Sequence, residues 1–107
     1  MIIFKDNDNL IQAVGLYVID SNGDKDFLDS GATVQVTLSI DGVNVVGETW
    51  PLSLTYIPNT DGDFQAVLKD TLTLTLGKIC KAVLTVDNGA NQRAEFTHDL
   101  LIQTRQF

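Results

Sequence analysis

Between Ala32 and Ile40 apolar and polar residues change places with a period of two. Ala32, Val34, Val36, Leu38 and Ile40 are apolar, and Thr33, Gln35, Thr37 and Ser39 between them are polar. Alternate residues of a strand point to opposite faces, so this run predicts a strand with one face on a core and the other in water. Asp41-Gly42 follows, a dipeptide suited to a tight hairpin turn. The alternation then recurs along the chain. Leu52, Leu54 and Tyr56 oppose Ser53 and Thr55; Phe64, Ala66 and Leu68 oppose Gln65 and Val67; Leu72, Leu74 and Leu76 oppose Thr71, Thr73 and Thr75. Cys80, Ala82, Leu84 and Val86 face one way, and Ala94, Phe96, His98, Leu100 and Ile102 share a side. A slip of one residue would turn each apolar set into water, so the registers are strongly specified.

Clusters rich in Gly, Asp and Asn divide these runs: Lys5 to Asn9, Asp20 to Asp26, Asp41-Gly42, Asn59 to Asp63, Gly77-Lys78 and Asp87 to Gln92. The segments between them are Leu10–Ile19, Ala32–Ile40, Val45–Tyr56, Phe64–Leu68, Leu72–Leu76, Ile79–Val86 and Arg93–Thr104. Short strands at such spacing predict an antiparallel sandwich or small barrel of about seven strands. No window holds a 3.6-residue period, which predicts no helix longer than two turns. Pro51 cannot donate to a ladder, so Val45–Tyr56 is expected to be an edge, bulged or broken there. Trp50 beside it reads first as a core plug whose N–H seeks an acceptor, and second as a surface aromatic for a sugar or a partner.

At 107 residues the chain is expected to form one domain, 1–107, with a single modest core. Its 14 acidic and 7 basic side chains give a formal charge of −7. A nucleic-acid binder needs a clustered positive footprint, and an anionic membrane repels such a surface, so neither partner is expected. The Met1–Lys5 stretch is too short for a signal-peptide core and lacks a basic leader. Cys80 is the only cysteine, so no intrachain disulfide can form.

Candidate chemistry is sparse. Asp20, Asn22, Asp24 and Asp26 alternate as oxygen donors with Asp29 close behind, but Gly23 falls at the fourth place and Gly31 at the twelfth of a calcium loop. The helix-flanked calcium loop wants Gly sixth and Glu twelfth, so a hairpin turn at Asn22-Gly23 is the preferred reading. Asp61-Gly62 reads as a second tight turn. His98 is the sole histidine and falls on the apolar side of its strand, as a sheet-end or partly buried structural residue. Cys80 reads as a small buried hydrophobe. No nucleophile elbow and no phosphate-binding glycine motif occurs. The expectation is therefore no enzyme, no cofactor and no metal site. Val67, Val83 and Leu101 sit on otherwise polar faces, and with Trp50 they are the candidate partner contacts.

The succession Ala32-Thr33-Val34-Gln35-Val36-Thr37-Leu38, Asp41-Gly42, Val46 to Tyr56 with Trp50-Pro51-Leu52, and Asp61-Gly62-Asp63-Phe64-Gln65-Ala66-Val67-Leu68 resembles small immunoglobulin-like proteins of tailed bacteriophages, found in virion neck, tail and baseplate components. The resemblance spans roughly residues 10 to 105. It departs near Cys80, where such modules tend to carry an aromatic. It implies a single immunoglobulin-like antiparallel β-sandwich and a non-enzymatic structural or adaptor role in the virion, assembled in the bacterial host cytoplasm. The implied partners are copies of the chain and other phage structural proteins, with Met1–Phe4 and Gln103–Phe107 as apolar arms. The alternative function is a carbohydrate-binding module for host-surface adhesion, which would need an exposed aromatic platform.

Overall fold

The computed structural model describes residues 2–89 and 93–104. Expectations that rest on Met1, on the end of the Asp87–Gln92 turn and on the last three residues of the C-terminal arm lie outside these. The described chain is all-β and contains no helix. Its ten strands are β1 (Ile2–Phe4), β2 (Asn9–Ala13), β3 (Tyr17–Ile19), β4 (Lys25–Phe27), β5 (Thr33–Ile40), β6 (Val43–Asn44), β7 (Leu52–Tyr56), β8 (Phe64–Leu68), β9 (Ile79–Asp87) and β10 (Arg93–Gln103).

Seven strands form one hydrogen-bonded path, β1-β10-β9-β5-β7-β8-β2, with β6 added to β5 and β3–β4 as a separate hairpin. The sheet is mixed rather than wholly antiparallel, because β1 runs parallel to β10 with Ile2 opposite Leu101. β7 carries the path from one side of the core to the other: Leu52–Leu54 pair with β5, and Thr55 and Tyr56 pair with β8. The path curls until its two end strands, β1 and β2, are consecutive in the chain. Asn9 holds the turn between them. Its Oδ1 accepts the Phe4 N–H at 2.9 Å and its Nδ2 donates to the Phe4 carbonyl at 2.9 Å, so a side chain ties together two strands that pair with different neighbours. Curling leaves a gap, for among the described residues β2 and β10 share no ladder. The molecule is thus a nearly closed barrel with a lateral seam.

The expected alternation fills the core. Val34, Val36 and Leu38 of β5, Leu54, Phe64, Leu68, Cys80 and Ala82 are all buried. Four expectations are corrected. The segment Leu10–Ile19 is two strands, broken at Gly15, whose φ of +68° suits glycine. Leu72–Leu76 is irregular: Leu72 and Leu74 are buried and the Thr73 N–H bonds the Val46 carbonyl, so the alternation there plugs the core from a loop. The strand expected from Val45 starts only at Leu52, directly after Pro51, which has no N–H to give a ladder. Ile2–Phe4 is no free arm, since Ile3 is 1% exposed against Ile102.

The inner face of β10 departs most. Leu100 and Ile102 are buried, but Ala94, Phe96 and His98 are exposed. The cause is the open edge of β10. β1 covers it only at Leu101, Ile102 and Gln103. Beyond them Phe96 and His98 face β2, and Ala94 and Phe96 face the β3–β4 hairpin, across grooves rather than in packed contact. The radius of gyration, 15.0 Å, exceeds the roughly 13 Å of a compact chain this long.

Candidate functional site

The acidic turns satisfy themselves. In the β3–β4 hairpin Asp20 Oδ1 accepts the N–H groups of Asn22 (2.9 Å) and Asp24 (3.0 Å), and Gly23 takes a φ of +82°. The carboxylate caps a turn, as the hairpin reading of Asn22-Gly23 requires. In the other acidic turn Asp63 Oδ1 accepts the Gly15 N–H at 2.8 Å, which ties the β2–β3 link to the start of β8. Among the described residues no three His, Cys, Asp or Glu side chains converge as a metal-ligand group, and no helix is long and apolar enough to cross a membrane.

Cys80 lies in the core with no exposed surface. Burial pushes its thiol up from 9.0 to about 11, opposed in part by a backbone hydrogen bond to Ser39. Two consequences are measurable. Thiol reagents such as Ellman's should react only as fast as the protein opens. The folded thiol also keeps its proton where the unfolded one loses it, so stability should fall as pH rises from 9 to 11. The loss should reach about 3 kcal/mol, at about 1.4 kcal/mol per pH unit of separation. Denaturant titrations of wild type and Cys80→Val across that range check it, since the variant lacks this step.

The four candidate contact residues occupy different places. Trp50 is half-buried against the core, with its Nε1–H on the Val45 carbonyl at 2.7 Å. Val67 is 53% exposed on the outer face of β8, directly opposite Leu10 of β2, which is 59% exposed. Leu101 lies in a row across three strands, between Ile2 of β1 and Ile79 of β9, both exposed. Val83 is half-buried between Thr37 and Thr97 and has no apolar partner in its row. The structure therefore brings Val67 and Leu101 into apolar patches, each with partners that alternation alone left unpaired.

An apolar concavity follows the seam. A groove of about 340 Å³ runs between β2 and the β9–β10 pair, with Ile11 and Ala13 on one wall and Leu84, Phe96 and His98 on the other. It continues past Phe96 into a second groove of about 230 Å³ against the β3–β4 hairpin. His98, expected on an apolar face, is exposed at this rim. Sequence reasoning missed Phe96, because alternation marks a face as inward without saying whether a second layer reaches it.

Aromatic exposure is concentrated on that hairpin. Tyr17 and Phe27 face each other across β3 and β4 as an edge-to-face pair, 6.0 Å between ring centroids, and Lys25 Nζ lies 4.7 Å from the Tyr17 centroid. The rings stand at 75°, so they do not form a flat platform. No protein-family model, curated protein or solved structure matches the chain.

Proposed function

We propose that the chain is a variant of the immunoglobulin-like β-sandwich, its two layers joined through β7 and curled towards a barrel, serving as a non-enzymatic structural or adaptor domain of a tailed-phage virion, where it binds copies of itself and neighbouring virion proteins. The observation that carries this reading is the apolar row Ile2–Leu101–Ile79 on the solvent side of three adjacent strands. Single exposed hydrophobes are ordinary on a soluble surface, whereas a cross-strand row is a docking feature. The Leu10–Val67 pair gives a second such feature on another face. Rigid ladders suit the role, because a scaffold that presents faces and edges needs no cleft. The strand and turn succession from Ala32 to Leu68 supports the phage resemblance.

Mass spectrometry of gradient-purified particles from the source lysate tests the placement. The chain should appear at a fixed ratio to the major structural proteins, and its absence from particles would sink the reading. The surface reading has its own check. Ile79→Lys and Val67→Lys remove exposed apolar groups, so unfolding free energies should stay within about 0.5 kcal/mol of wild type. Self-association measured by sedimentation should weaken at least roughly tenfold in one of them, the loss of about 1.4 kcal/mol that one buried aliphatic side chain supplies.

A further inference from the structure

We infer that the seam beside β10 is a slot for an extended segment of another protein, one that alternates apolar residues with lysine or arginine. The inference rests on the adaptor reading and names where and how one partner would dock. Three observations lead to it.

The first is an open edge. Among the described residues β10 pairs with β9 along one side, while on the other β1 meets only Leu101, Ile102 and Gln103. Arg93 to Leu100 therefore keep an unpaired row of backbone groups, about 26 Å long at roughly 3.3 Å per residue. Such an edge is a template for a further strand.

The second is that the chain already fills the near end of the same slot. β1 lies on the β10 edge and sends alternate residue Ile3 into the core at 1% exposure. An occupant continuing in line with β1 would send its own alternate residues over Leu84, Phe96 and Ala13. Those positions want aliphatic side chains. Phe96, 45% exposed, is the largest surface such a strand would cover.

The third is charge. The residues of β10 that alternate with this apolar set are Arg93, Glu95, Thr97 and Asp99. Arg93 is paired with Asp87 at 3.2 Å, and Lys81 stands opposite Asp99 on β9, which leaves Glu95 opposite Thr85. The rim and the net charge of −7 both favour a cationic occupant. They disfavour a second copy. Every described strand is already paired in its own molecule, so a copy would have to dock edge to edge, and the register centred on Thr97 would set Glu95 against Asp99 of the other copy.

The test uses the full chain and three capped eight-residue peptides: valine alternating with lysine, the same composition as two blocks, and valine alternating with glutamate. Binding is followed by amide chemical shifts and by hydrogen exchange. The alternating valine–lysine peptide should slow exchange at edge-facing amides between Ala94 and Leu100, and the other two should not. Phe96→Lys should weaken it at least roughly tenfold, the worth of one covered aromatic side chain. Glu95→Lys with Asp99→Lys should shift preference toward the glutamate peptide; all three positions are exposed, so folding is not at stake. Equal binding of the block peptide, or shifts confined to the Leu10–Val67 face, would overturn the slot. Edge protection that rises with protein concentration without peptide would overturn the foreign occupant in favour of a second copy. A chain absent from virions that still binds the peptide leaves the slot standing and removes the phage role; a chain in virions with an inert seam does the reverse.

Discussion

Replacing Gly62 with alanine should destabilise the protein by about 2 to 5 kcal/mol and lower its thermal midpoint by roughly 4 °C per kcal/mol. Gly62 is buried with a φ of +78°, and a Cβ there would overlap the Leu16 carbonyl oxygen and stand 2.7 Å from the Leu16 nitrogen. The obstacle is backbone, and it is fixed from both sides. The Leu16 N–H donates to the Gly62 carbonyl at 2.9 Å, and the Leu16 carbonyl accepts the Leu28 N–H at 2.9 Å. A left-handed conformation costs a residue with Cβ about 1–2 kcal/mol. Relieving the overlap adds about 1–3 kcal/mol of overpacking. Gly42→Ala separates the two contributions, because Gly42 has a φ of +81° but open space around it. That variant should lose only the conformational part, about 1–2 kcal/mol. Denaturant unfolding of both decides the matter; equal losses would mean that the close approach of Leu16 carries no weight. The consequence reaches the seam, since Leu16 lines both grooves and links the β3–β4 hairpin to the rest of the molecule.

That contact shows where sequence reading stops. Asp61-Gly62 was legible as a turn because only its own backbone had to be considered, whereas the need for glycine comes from a residue 46 positions earlier. The same holds for the strands. β5 and β8 were readable because another layer covers their inward residues, and β9 because Cys80, Ala82 and Val86 are covered even though Leu84 opens on the seam, so burial follows alternation. Leu72 and Leu74 alternate just as well and are buried, yet they make no strand, because hydrophobic period two records burial on one side and not pairing. The apolar patches were half legible. Val67 and Leu101 stand out as apolar residues on polar faces, but Leu10, Ile2 and Ile79 join them only through strand register, which no local signal carries. The parallel placement of β1 was hidden for the same reason: three residues hold too little pattern, and the Asn9 side chain that secures them acts across a turn.

Two phenylalanines put this distinction on a measurable footing. Phe64 and Phe96 both fall on the apolar side of alternating strands. Phe64 is 1% exposed, opposite Ala13 of β2 and Tyr56 of β7, with its ring 5.4 Å from that of Tyr56. It sits where β7 completes its passage to β8 and where β2 adds the last strand of the path. Phe64→Ala should therefore cost about 3–5 kcal/mol, from lost burial plus a cavity that three strands cannot collapse around. Against a total of about 5–15 kcal/mol for a domain of this kind, such a loss leaves the fold marginal. Phe96→Ala removes the same atoms from a rim that water already reaches, and should cost under about 1 kcal/mol. Urea unfolding of the pair gives the comparison directly. A large loss at Phe96 would mean that the seam is closed in solution over that ring, and then no strand could enter beside β10. A small one, beside a large loss at Phe64, is what an unfinished barrel requires: the core is complete without the covering of Phe96, so that surface is free to be covered by something else.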